Sequence, residues 1–185
     1  MEITIIIICL ILCAFFSGME IAFVSSNKIY LEIEKKQDNF LSQILTKLTE
    51  KPSQFIATML IGNNVALVVY SFFMGDLLMQ WFITLGLEFS SFVNLLIQTV
   101  LSTLIVLITS EFLPKVFFQI YANSFVKIFA IPAYIFYLLF YVVSTFIMWI
   151  SDTILKRFFK TEGDFVPLFF SKFSSEEKHK NRQCR

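Results

Sequence analysis

The sequence is poor in the residues on which most site chemistry is built. Its 185 residues hold three cysteines (Cys9, Cys13 and Cys184) and one histidine, His179. Three scattered cysteines cannot make a disulfide framework, and Cys9 and Cys13, one helical turn apart in an apolar run, read as small buried hydrophobes. His179 and Cys184 belong to the C-terminal tail, out of reach of the apolar segments. A formal net charge of +1 argues against nucleic acid as a partner. No nucleophile–base pair and no phosphate-binding loop appears, which argues against an enzyme. The N-terminus also lacks the basic region of a signal peptide. Its apolar run exceeds the usual ~7–15 residues, so it reads as an uncleaved spanning helix.

What the sequence has in excess is apolar surface. Hydrophobic residues make up 57% and aromatics 17%, with 24 phenylalanines; a soluble domain would be about 45–50% apolar. The fold class that follows is all-α integral membrane. About 20 apolar residues span a hydrocarbon core at ~1.5 Å per residue, and three stretches are long enough: 3–25, 54–82 and 92–120. Between the first two, residues 28–50 alternate lysines and acids around Ile29, Ile33, Leu41, Ile44, Leu45 and Leu48 at helical spacing. That pattern predicts amphipathic juxtamembrane helices.

Charge asymmetry sets the orientation. The loop from Asn27 to Pro52 is lysine-rich and is expected on the cytoplasmic side, whereas the N-terminus and the Thr84–Ser91 link carry no Lys or Arg and are expected outside. The C-terminus is then cytoplasmic, in a multi-pass protein of the cell (inner or plasma) membrane. Residues 128–158 are apolar enough to cross again. Lys115 and Lys127 precede them and Lys156, Arg157 and Lys160 follow, which favours helices that return to the cytoplasmic face; a fourth crossing is the alternative. Residues 161–185 are mixed and charged, and read as a disordered tail.

Polar residues interrupt each span. The first contains Ser17, Gly18 and Glu20, the second Gly62, Asn63 and Asn64, the third Ser110 and Glu111 followed by Pro114. Glu20 lies eight residues before Lys28, about 12 Å from the cytoplasmic surface. Asn63 lies twelve residues after Lys51, about 18 Å by the same rise. Glu111 lies four residues before Lys115, whose side chain can snorkel and leave the glutamate deeper. All three groups therefore fall between the midplane and the inner leaflet, the arrangement of one intramembrane site. Its hydroxyl, amide and carboxylate oxygens suit a hard cation such as Mg²⁺, Ca²⁺ or Na⁺. Unwinding at Gly18, Gly62 and Pro114 would add backbone carbonyls, and a third span broken near Glu111–Pro114 resembles the discontinuous helices of transporters. The plain alternative is helix packing. Ser17-Gly18 and the Asn63–Asn64 pair each have that reading, but a glutamate in hydrocarbon is harder to explain so. Asp76, near the outer end of the second span, reads as interfacial.

FSGMEIA (Phe16–Ala22), LIGNN (Leu60–Asn64) and SEFLPK (Ser110–Lys115) occur in this order and spacing. Together they resemble the transmembrane domain of the CorC/CNNM family of magnesium transporters, also called the DUF21 domain, over residues 1–160. The resemblance implies a homodimer of three-span subunits with a cytoplasmic belt of juxtamembrane helices. It implies Mg²⁺ export coupled to Na⁺ entry, with Ser17, Asn63, Asn64 and Glu111 as ligands. Glu20 would be an accessory charge for the ion or the coupling cation, with Gly18, Gly62 and Ser110 beside it and Pro114 at a helix bend. Two positions depart from the family pattern: Met19 stands where a serine is common, and Ser110 where a glycine usually precedes the glutamate. Either change could alter ion preference. Family members usually continue into a pair of ATP-binding CBS domains; the sequence ends at Arg185 without them, so that regulation is expected to be missing from this chain. The rival expectation is a non-transporting scaffold or envelope-assembly protein on the same fold. Coupling to protons through Glu20 would look the same in sequence.

Overall fold

Three rods dominate the molecule, and their ends are set by local chemistry. The structure, a computed structural model, describes residues 2–37, 39–86 and 90–159. The first rod is α1 (Glu2–Ser25). Asn27 then caps α2 (Lys28–Lys35), its side-chain oxygen accepting from the Ile29 N–H at 2.8 Å, the usual role of asparagine at a helix start. The short amphipathic α3 (Phe40–Glu50) follows. Pro52, whose missing N–H costs nothing in a first turn, opens the second rod, α4 (Pro52–Thr84). It stops where Gly86 adopts a φ of 67° and its N–H turns back to the Ile83 carbonyl, a left-handed stop that favours glycine.

The third rod joins α5 (Ser91–Val106), a π-helical segment (Leu107–Phe112) and α6 (Leu113–Ile120) in one continuous helix of 30 residues, Ser91–Ile120. The expected break near Glu111–Pro114 is therefore a widened turn. A proline would press its ring on the carbonyl four residues back; here the helix expands by one residue instead, and the Leu113 N–H reaches the Ile108 carbonyl. The expected unwinding at Gly18 and Gly62 does not occur either: both sit inside unbroken helix. The three rods match the three expected spans to within a few residues.

α1 is the hub, packing along α4 on one side and against the π segment, α6 and α7 (Ala122–Ile128) on the other. Two apolar clusters form along it. Toward the lysine-rich end, Phe16, Met19, Ala22 and Phe23 pack with Leu45 and Leu48 of α3 and Phe55 and Met59 of α4. Toward the other end, Ile6 and Cys9 pack with Tyr70, Met74, Leu78 and Val106. By contrast the third rod is mostly exposed, with only 6% of its most apolar stretch buried in the subunit.

The remaining helices, α7, α8 (Ala130–Leu139) and α9 (Tyr141–Phe159), form a bent series. α7 and α8 together are apolar enough for a broken span, but they meet at 63°. Among the described residues, the polar contacts that tie them to other elements include several at the lysine-rich end of the bundle. Lys127 donates to Glu34 at 2.7 Å, Lys47 to the Tyr134 hydroxyl at 3.3 Å, and Asn27 N–H to Asn123 Oδ1 at 2.8 Å. Gln54, at the start of α4, accepts from the Tyr137 hydroxyl and donates to Thr145 Oγ1. The series thus wraps the same end as α2 and α3, as a collar. Stacked Phe118, Phe125 and Phe129 and the Phe15–Phe16–Phe136 group fill it, where the phenylalanine excess finds part of its use.

The Glu34–Lys127 pair joins two segments far apart in the chain. Its hydrogen bond to Lys127 holds the Glu34 carboxyl below its usual 4.5, and the same bond raises Lys127 above its usual 10.5. A carboxyl with a lowered pKa stabilises the fold above its unfolded value and loses that contribution as pH falls through the folded one; the raised lysine does the reverse at high pH. Glu34→Gln should therefore lower the melting temperature of the detergent-solubilised protein at pH 7. The gap to the unmodified protein should close when melting is repeated below the usual carboxylate range.

Candidate functional site

Two glycines decide how closely the helices approach. A Cβ on Gly62 of α4 would stand 2.6 Å from the ring of Phe16 on α1, and a Cβ on Gly18 of α1 would stand 2.7 Å from the ring of Phe118 on α6. Both distances are too short for a side chain, so each ring lies directly on backbone. Small residues at such positions let spanning helices pack at close range. The approach carries the neighbouring polar side chains into the interior: Ser17 is 0%, Asn63 7% and Ser110 1% exposed.

Two of these interior groups are left unsatisfied. Ser17 Oγ and Asn63 Oδ1 are buried and have no hydrogen-bond partner, although such oxygens normally find one and lose about 1–3 kcal/mol otherwise. The Asn63 backbone is already engaged with α1, its carbonyl lying 4.0 Å from Cys13 Sγ. On the third rod the π segment turns Ser110 inward, 3.4 Å from Thr109 Oγ1. Because the Leu113 N–H bonds to Ile108, it does not serve the Thr109 carbonyl, and Pro114 has no N–H to offer in its place. Sequence reasoning missed Thr109, since the register of a π turn is not written in residue types.

The charged groups stand at the edge of this interior. Glu111 is partly exposed and faces Lys115 on its own helix at 3.8 Å, a loose pair with both side chains in part exposed. Glu20 is half-buried and lies near both Lys115 and Glu111. The structure therefore brings Ser17, Glu20, Asn63, Ser110 and Glu111 around one stretch of α1. Asn64 stands apart: it is exposed, and its side-chain N–H donates to the Leu60 carbonyl at 2.9 Å. Met19 is fully buried in the apolar cluster. Among the described residues, no group of three or more His, Cys, Asp or Glu side chains is placed to hold a metal ion, so a cation here would depend on neutral oxygens as much as on carboxylates.

The family model for the cyclin M (CNNM) transmembrane N-terminal domain matches residues 4–167. The chain belongs to the CNNM family. Its relatives include a UPF0053 protein of Haemophilus influenzae, 32% identical over 120 residues, which is 65% of this chain and 27% of that protein. Another is the UPF0053 inner membrane protein YfjD of Escherichia coli, 30% identical over 111 residues, 60% of this chain and 24% of the relative. The chain thus spans about a quarter of the length of the curated relatives it matches. The CNNM match contains every residue discussed in this site, and with three apolar rods it identifies a multi-pass membrane protein.

The glycine contacts are testable in this CNNM domain. Gly62→Val should destabilise the protein by about 1–3 kcal/mol, the usual cost of overpacking. Phe16→Ala combined with it should cost less than the two single changes summed, because removing the ring makes room for the added side chain. Melting of the three variants in detergent measures the difference.

Proposed function

We propose that this CNNM domain moves Mg²⁺ across the membrane, out of the cytoplasm, through a site of serine, asparagine and glutamate oxygens. The observation that carries the reading is the pair of buried, unpartnered oxygens, Ser17 Oγ and Asn63 Oδ1, beside a π turn that presents Ser110 and Glu111. An interior oxygen without a donor is an acceptor waiting for a cation, and small hard cations prefer such ligands. In this reading Ser17, Asn63 and Glu111 hold Mg²⁺ directly. Asn64 reaches it only by rotation of α4 or from a second subunit. Glu20 offsets the charge or serves an entering Na⁺. The mostly exposed third rod leaves room for the homodimer the family resemblance implies. The lysine-rich end with its collar would face the cytoplasm, with the N-terminus outside, as the positive-inside bias favours.

Calorimetry of purified protein tests this. Mg²⁺ should bind the unmodified chain, with Na⁺ competing, and Glu111→Gln and Asn63→Ala should abolish binding. Ser17→Ala should also weaken it while leaving melting without Mg²⁺ unchanged or slightly higher, since it removes an unsatisfied buried hydroxyl. If the variants bind Mg²⁺ as well as the unmodified protein, or nothing binds, the polar residues are packing and the domain is a scaffold.

A further inference from the structure

A second polar feature runs outward from this site along the third rod. Asn94, Gln98 and Ser102 recur at four-residue spacing, so they lie along one helix face, and the buried Val106 and Ser110 continue the line inward. That face is turned toward α4: a Cβ on Gly75 of α4 would stand 2.5 Å from Gln98 Nε2, and the Tyr70 hydroxyl donates to the Ser102 carbonyl at 3.1 Å. Polar residues spaced along a buried seam in hydrocarbon mark either helix adhesion or a route for ions.

The seam is interrupted at one level. Outward from Ser17, α1 offers Cys13, Cys9 and Ile6; outward from Asn63, α4 offers Ala66, Tyr70 and Met74 on the same face. Tyr70 is seven residues from Asn63, about 10 Å along the helix. Cys9, Tyr70, Met74 and Val106 there form a dry cluster, in which Tyr70, 1% exposed, is the large polar-tipped member. Beyond it the polar side chains resume with Gln98 and Asn94.

We propose that Tyr70 is the outer gate of the domain. Its ring, backed by Val106 and Met74, seals the intramembrane site from the outer end of the seam, and its hydroxyl latches α4 to the Ser102 carbonyl. Outward opening breaks that latch and lets Tyr70 leave the seam. The role assigned to the gate rests on the transport reading, but the seal can be tested without transport.

Cys13 is a native reporter, because it is buried between Ser17 and the gate. In the chain with Cys9→Ala, which keeps the cluster apolar, and Cys184→Ser, a membrane-impermeant methanethiosulfonate reagent is applied to vesicles on the side of the α4–α5 link. Cys13 should resist labelling behind Tyr70 and should react when Tyr70→Ala is introduced. Tyr70→Phe, which keeps the ring and loses the latch, should raise the rate roughly tenfold, the factor that one lost hydrogen bond gives an open–closed ratio. If Tyr70→Ala fails to reach the membrane, Val106→Ser, which wets the same cluster, takes its place with the same expectation. The proposal is overturned if Cys13 already reacts behind intact Tyr70. It is equally overturned if Cys13 stays protected in the opened variants while Gln98→Cys labels from that side. Mg²⁺ calorimetry on the same variants separates a failed gate from a failed site: loss of the seal leaves binding intact, whereas absence of binding in the unmodified protein leaves the labelling result standing.

Discussion

Everything in this domain depends on how closely α1 can lie against its neighbours. Phe16 rests on the backbone at Gly62, and Phe118 rests on the backbone at Gly18. Between lipid tails and apolar side chains there is little hydrophobic force to press helices together, so close van der Waals contact must do it. The two ring-on-glycine contacts supply that contact on opposite faces of α1. They also draw Ser17 and Asn63 inward, next in sequence to Gly18 and Gly62. The same geometry that binds the helices thus leaves two oxygens without partners in the interior. A protein selected for stability alone would have placed alanine and leucine there.

The collar makes that arrangement hold at one end and leaves it free at the other. α2, α3, α7, α8 and α9 are tied together by the Glu34–Lys127 and Lys47–Tyr134 contacts and by the Gln54–Tyr137–Thr145 set. At the opposite end α4 and α5 meet along a seam with few such ties, and the third rod is largely uncovered. Motion of the third rod against α1 and α4 would therefore disturb few bonds at the half away from the collar and many at the collar.

Much of this was legible in the sequence. Hydropathy and the lysine-rich loop placed three rods and an amphipathic belt, because each signal is local to its own segment. Counting residues to the nearest basic group sets Glu20, Asn63 and Glu111 at similar depth; that they serve one cation site stands as the proposal. The sequence left the role of the glycines between two readings. A glycine in a spanning helix either loosens it or admits a neighbour, and the choice depends on Phe16 for Gly62 and on Phe118 for Gly18, partners in other helices. Proline was misread for a similar reason: removal of one hydrogen bond can break a helix or widen it, and here the Leu113 N–H finds Ile108 and the rod continues. The exposure of Asn64 beside buried Asn63 depends on which face of α4 meets α1, which two adjacent identical residues cannot disclose.

The charges around the site give the proposed reading its last constraint. Glu20, Glu111 and Lys115 sum to one negative charge when no ion is present. A divalent cation added to all three would leave one positive charge in a region of low dielectric, an arrangement hydrocarbon strongly opposes. If Lys115 withdraws toward the collar surface, which its flexible stem permits, the two carboxylates and the divalent ion are neutral together. The 3.8 Å separation of Lys115 from Glu111 is that of a counter-charge held loosely enough to leave. In the proposed reading Lys115 would thus be a counter-charge to Glu111 that a bound cation displaces.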